Sequence, residues 1–325
     1  MDGILGLAAT NLTSPIILSF ALGVAAALAR SDLSVPEAAA KTLSIYLLFA
    51  IGFKGGAAVS ASGVDAQLVA TLGAGLVLSF TLPFIAFALI RALTRLSPID
   101  AAAVAGHYGS ISIVTFVAAS SVLASRGIAA EGYMVAVAAV MEAPAILSAL
   151  FLVARSGTAE KMDAEMWREI LLNGSIVLLI GAFAIGWITG QEGLDKIAPF
   201  IVSPFDGVLC LFLLDMGLVA GRGLREARGV LGAGAVAFGV LMPPIGASLG
   251  LLAGLLLGLS AGGVALLMVL SASASYIAVP AAMRVALPQA NPSVYLTLSL
   301  GVTFPFNLTL GIPLYVAVAM ALAGG

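Results

Sequence analysis

Apolar residues run through this chain in long unbroken blocks, and polar residues gather in the short gaps between them. The blocks lie near 13–29, 40–58, 66–93, 100–123, 132–154, 168–189, 199–220, 229–257, 261–283 and 293–321. A helix needs about 20 such residues to cross a hydrocarbon layer. A membrane barrel would instead alternate apolar and polar at every second position, and that alternation is absent from the sequence. The pattern predicts an all-α integral membrane protein with ten transmembrane helices.

Composition excludes a soluble fold. The 325 residues are 61% hydrophobic and 9% charged, with a mean hydropathy of +1.16. Soluble domains carry about 25% charged residues, and this chain has too few to cover a water-facing surface. The first block ends signal-like at Ala27-Leu28-Ala29, yet no Lys or Arg precedes it and Asp2 is acidic. It reads as a first membrane helix rather than a leader. Connections after odd-numbered spans carry eleven of the fourteen Lys and Arg residues, Arg91, Arg95, Arg222, Arg225 and Arg228 among them. Basic loops stay cytoplasmic, so both termini are expected on the periplasmic side.

Two halves can be laid over each other. Leu48 to Gly56 matches Leu213 to Gly221, Gly109-Ser110-Ile111-Ser112 matches Ala272-Ser273-Ala274-Ser275, and Glu142-Ala143-Pro144 matches Thr303-Phe304-Pro305. The offset drifts only from 165 to 163 to 161. This predicts a first repeat over 1–155, a charged cytoplasmic linker over 156–167 and a second repeat over 168–325. Five spans per unit turn the second copy over, which is a plan of secondary transporters.

The candidate chemistry sits in spans four and nine. Both place serines at i and i+2, Ser110 with Ser112 and Ser273 with Ser275, beside glycine or shortly before Pro280. Residues two apart do not share a helix face, so the spacing fits an unwound backbone. Non-helical backbone survives at membrane depth only where it lines a cavity or is buried in protein. The N–H groups of half-helix starts suit a small anion, and hydroxyls and carbonyls suit sodium. The alternative is close packing of small residues. Glu142, ionisable inside span five, is a candidate for ion binding, proton carriage or holding span four in place. Ser271, Tyr276, Thr303 and Asn307 are further candidates for ion binding or coupling, with Asn307 placed to cap carbonyls freed near Pro305. Asp215 is paired with Lys54 in this reading, as a structural ion pair or a substrate contact. His107, the only histidine, reads as a pH-sensitive gate or a packing residue. Cys210, alone, excludes an internal disulfide and a cysteine metal cluster. No nucleophile with a base, phosphate loop or basic-aromatic surface is visible, so neither an enzyme, an ATP-driven pump nor a nucleic-acid binder is expected, and no cofactor.

These motifs resemble the sodium-dependent bicarbonate transporters first described in cyanobacteria. The resemblance covers nearly the whole chain beyond the first dozen residues. It is most specific in Gly106 to Thr115, Met141 to Pro144, Ser273 to Pro280 and Ala290 to Ser293; Thr303 to Asn307 and Gly311 to Tyr315 look like the broader bacterial branch. It implies a five-plus-five inverted repeat with discontinuous spans four and nine crossing, a core domain moving against a gate domain, and a homotrimer in the bacterial inner membrane. It implies bicarbonate and sodium at the crossing, lined by Gly109, Ser110, Ser112, Thr115, Ser273 and Ser275. Two departures stand out: the cyanobacterial pattern has Asp at the positions of Tyr276 and Glu142. The linker is shorter than in cyanobacterial members, so regulation by a PII-type signalling protein is not assumed. Transport of another small organic anion, a passive anion channel, and a receptor retaining the fold are the alternatives.

Overall fold

The structure, a computed structural model, describes residues 13–154, 168, 172, 174–226, 231–276, 279, 280, 283 and 287–324. The expected linker lies outside the described residues, among which there are helices and no strands. The helices are α1 (Pro15–Leu28), α2 (Glu37–Ser62), α3 (Ala66–Leu93), α4 (Pro98–Gly109), α5 (Ile113–Ser125), α6 (Met134–Val140), α7 (Pro144–Ala154), α8 (Gly174–Ile201), α9 (Phe205–Glu226), α10 (Ala233–Leu256), α11 (Ala261–Ala272) and α12 (Pro292–Ala323). Counting α4 with α5 and α6 with α7, eight apolar stretches are long enough to cross a membrane, while α1 and α11 are shorter apolar helices. This is an all-α membrane protein.

Local sequence sets most of the boundaries. Ser14 caps α1 by accepting from the Ile17 N–H, and Asp65 caps α3 by accepting from the Leu68 N–H at 2.8 Å. Gly63 ends α2 at φ 81°, where a side chain would be strained. One boundary departs from the sequence reading. The sixth block was expected to end at residue 189, but helix resumes beyond Gly190 (φ 60°) and runs to Ile201. The charged limb after this kink is held by i,i+4 pairs, Gln191 donating to Asp195 and Lys196 to Glu192, the latter at 2.8 Å.

Between helices in lipid, association rests on close packing and polar contacts rather than on apolar burial. Helix α1 packs along α9, and α8 along α2. A Cβ on Gly23 would strike the Leu214 carbonyl, and one on Gly217 the Phe20 carbonyl. A Cβ on Gly186 would strike the Phe53 carbonyl, and one on Gly56 the Phe183 carbonyl. Gly23 and Gly186 are 163 residues apart, as are Ser97 and Ser260. The second group of helices shows the same correspondence: α3 packs on α4 as α10 packs on α11, and α4 on α7 as α11 on the end of α12. Helices α4 and α11 are both 12 residues long, each capped by a serine that accepts from the N–H three residues on. Carboxylates also tie both helix starts to neighbouring loops. Glu131 accepts from the Ser260 N–H at 2.6 Å, and Asp100 accepts from the Asn291 N–H at 2.8 Å.

Candidate functional site

Helices α4 and α11 both stop in the middle of their apolar blocks. Ser110 follows α4 at φ −83°, ψ 171°, and Ser273 follows α11 at φ −85°, ψ 164°. Extended backbone in place of helix leaves amides and carbonyls without intrahelical partners. The two breaks satisfy part of this need with each other. The Ser112 N–H donates to Ser273 Oγ at 2.9 Å, and the Ser275 N–H donates to the His107 carbonyl at 2.8 Å. Ser273 Oγ donates to the Leu270 carbonyl at 2.9 Å. Ser112 caps α5, accepting from the Thr115 N–H at 3.2 Å and from Thr115 Oγ1 at 2.9 Å. Ser275 Oγ accepts from the Val279 N–H at 3.3 Å. Ser110, Ser112, Thr115, Ser273 and Ser275 are each no more than 4% exposed. The structure thus brings these five residues together at the crossing.

The other candidates take different places. Gly109 faces Pro83 of α3: a Cβ there would strike the proline ring and approach the Ser79 carbonyl, which Pro83, lacking an N–H, cannot bond. Its lack of a side chain lets α4 seat on that kink. Thr303 meets a similar gap in α10. Pro243 leaves the Gly239 carbonyl free, and Thr303 Oγ1 donates to it at 2.7 Å while lying 2.6 Å from the Tyr108 hydroxyl. Asn307 Nδ2 donates to the Ala272 carbonyl at 2.8 Å, closing the open end of α11 rather than the proline gap in its own helix. Tyr315 donates to Asn307 Oδ1 at 3.1 Å. Thr303 therefore ties the proline gap of α10 to α4, and Asn307 holds the open end of α11. Both stand in a stretch of α12 with π-type turns, Thr297–Thr303 and Asn307–Gly311, a distortion frequent at functional sites.

Five candidate polar atoms are buried without a hydrogen-bond partner among the described residues: His107 Nε2, Ser110 Oγ, Glu142 Oε2, Ser271 Oγ and Tyr276 Oη. Glu142 lies in the non-helical step between α6 and α7. Tyr276 approaches Ser112 without hydrogen-bond geometry, and its ring stands edge-on to Phe304, which is edge-on to Phe20 of α1. His107 has one ring nitrogen on the Ala103 carbonyl at 2.7 Å, and its ring stacks on Tyr295.

The expected Lys54–Asp215 pair does not form. Lys54 lies over the Phe205 ring at 4.8 Å, with Asp206 as its charged neighbour. Asp215 stands two and a half turns further along α9, and its charged neighbour is Arg222. Lys54, Phe205 and Asp206 line a cavity of about 570 Å³ together with Ser121 of α5 and Met134 of α6. Ser121 Oγ donates to Asp206 Oδ1 at 3.0 Å. A second cavity of about 310 Å³ is lined by Ala220 and Arg222 of α9 and by Ser293 and Thr297 of α12. Its Ala220 and Ser293 lie 165 and 161 residues after Gly55 and Gly132 of the first. No sequence spacing marks Ser121 or Asp206, because they meet only in three dimensions.

An all-α membrane protein with two broken helices that bond each other, and with two cavities in corresponding places, belongs among membrane carriers. The particular family follows from comparison: the model of the Na+-dependent bicarbonate transporter superfamily matches residues 15–320, and the chain belongs to that superfamily. No curated protein matches it.

Proposed function

We propose that this protein is a secondary active transporter that carries bicarbonate with sodium by alternating access. The observation that carries the reading is the pair of hydrogen bonds joining the breaks at Ser112 and Ser275. The N–H groups of Ile113 and Val114 open α5 and have no acceptor within it. They give the crossing the anion-binding character of a helix start, with hydroxyls around it. Sodium, the coupling ion, is held through Glu142 and Ser271, whose unpartnered oxygens suit a hard cation. The ten spans form two inverted units, 1–155 and 168–325, a reading supported by the matched caps, glycine contacts and cavities. The carrier works in the bacterial inner membrane as a homotrimer, with both termini periplasmic.

Radiolabelled bicarbonate uptake into proteoliposomes tests this. Uptake is expected to require an inward sodium gradient and to fall at least severalfold in Ser112→Ala and in Ser275→Ala. Uptake indifferent to sodium would remove the coupling, and wild-type rates in both variants would move the site elsewhere. Tyr276 at the crossing favours one second reading, another small organic anion in place of bicarbonate. Competition of unlabelled formate or acetate against labelled bicarbonate separates the two.

A further inference from the structure

Among the described residues, the crossing contains buried hydroxyls with no hydrogen-bond partner. Tyr276 is 8% exposed and its hydroxyl has no partner among the described residues. Among the described residues, Ser112 stands beside this phenol. Its Oγ already accepts from the Thr115 N–H and from Thr115 Oγ1. A hydroxyl oxygen has two lone pairs, so Ser112 can give a proton to the phenol but has no room to take one. The phenolic hydrogen therefore finds no acceptor in Ser112. Ser110 Oγ, at the opposite break, is likewise buried and unpartnered. A buried hydroxyl without a partner costs on the order of 1–3 kcal/mol, and a guest rich in acceptors removes that cost.

We propose that Tyr276 is a specificity-determining residue whose hydroxyl donates a hydrogen bond to the carried anion, a small oxyanion presenting acceptor oxygens, rather than serving the coupling cation. The proposal rests on the crossing being the transport site. A phenol is neutral at working pH and carries an O–H that can donate to an anion, whereas an ionised carboxylate can only accept. The ring is held for this role. It stands edge-on to Phe304 at 5.3 Å, and Phe304 stands edge-on to Phe20 at 5.2 Å. Tyr276→Phe keeps both ring contacts and removes only the hydroxyl, so it isolates the donor.

In proteoliposomes, Tyr276→Phe is expected to raise the KM for bicarbonate about tenfold, the effect of losing a hydrogen bond to a charged group. The sodium concentration for half-maximal uptake should stay within about twofold of wild type, since only the anion contact is lost. An unchanged bicarbonate KM in Tyr276→Phe, or a change confined to sodium, overturns the proposal. Thermal stabilisation of the detergent-solubilised protein by bicarbonate, formate, nitrate and acetate provides a second measurement. Whichever anion stabilises the wild type should stabilise Tyr276→Phe less; equal stabilisation of both proteins, or of neither, also overturns it. Wild type that shows anion stabilisation but no sodium-driven bicarbonate uptake would sink the transport reading and leave the Tyr276 comparison decisive on its own.

Discussion

Thr303 illustrates how much one side chain does beside a proline. Pro243 deprives the Gly239 carbonyl of its helical donor, and Thr303 supplies the replacement from another helix while its oxygen receives the Tyr108 hydroxyl. Thr303→Val keeps the shape and removes both bonds, stranding a carbonyl and a phenol in a dry interior. The expected loss is about 2 kcal/mol, read as a lower Tm in detergent, with Thr303→Ser close to wild type. A Tm for Thr303→Val equal to wild type would place the carbonyl's partner elsewhere. Asn307 has the same character, with its amide on the Ala272 carbonyl and its oxygen on Tyr315. Both positions were legible as important because they flank Pro305. Their partners were not legible, because a carbonyl freed in α10 or α11 is invisible until the helices are assembled. Glu142 and Ser271 differ from these two in each keeping an oxygen without a partner among the described residues, which is the ground for proposing them as the cation's ligands.

At the level of elements, the broken helices were readable from serines two apart. That spacing has no use on a continuous helix face, and the backbone is extended at Ser110 and Ser273 as it implied. The kink at Gly190 was not readable, since a glycine in an apolar run is compatible with straight helix until charged residues follow. The pairing of α1 with α9 and α8 with α2 was also hidden, although the glycines that permit it were in plain view. Those glycines admit a sharp test. Gly56→Leu drives a side chain into the Phe183 carbonyl, and neither backbone can yield. The folded fraction on size-exclusion chromatography in detergent is expected to collapse. Gly181→Ala, where a Cβ meets nothing within 4 Å on a neighbouring helix of the same pair, is expected to elute as wild type. Equal behaviour of the two variants would show that backbone approach is not what joins these helices.

On the scale of the whole molecule, the larger cavity separates two groups of helices. Lys54 and Asp206 come from α2 and α9, which belong to the glycine-packed group, and Ser121 comes from α5, which leads out of the crossing. The Ser121–Asp206 hydrogen bond at 3.0 Å is thus a tie between the group that carries the crossing and the group that flanks it. The sequence pointed to the wrong partner here, since Asp215 is the aspartate in the middle of the apolar block, whereas Asp206 lies two and a half turns earlier on the same helix. Alternating access requires the two groups to slide past each other, and a hydrogen bond at an exposed site is weak enough to break each cycle. A covalent tie is not. With Cys210 replaced by alanine, because it stands one turn beyond Asp206, the pair Ser121→Cys and Asp206→Cys can be joined by a short bifunctional thiol reagent. Bicarbonate uptake is expected to stop on joining and to return on cleavage of a reducible linker, while each single cysteine variant treated alike keeps transporting. Uptake that continues through the joined pair would mean that these two groups of helices do not move against each other across this cavity.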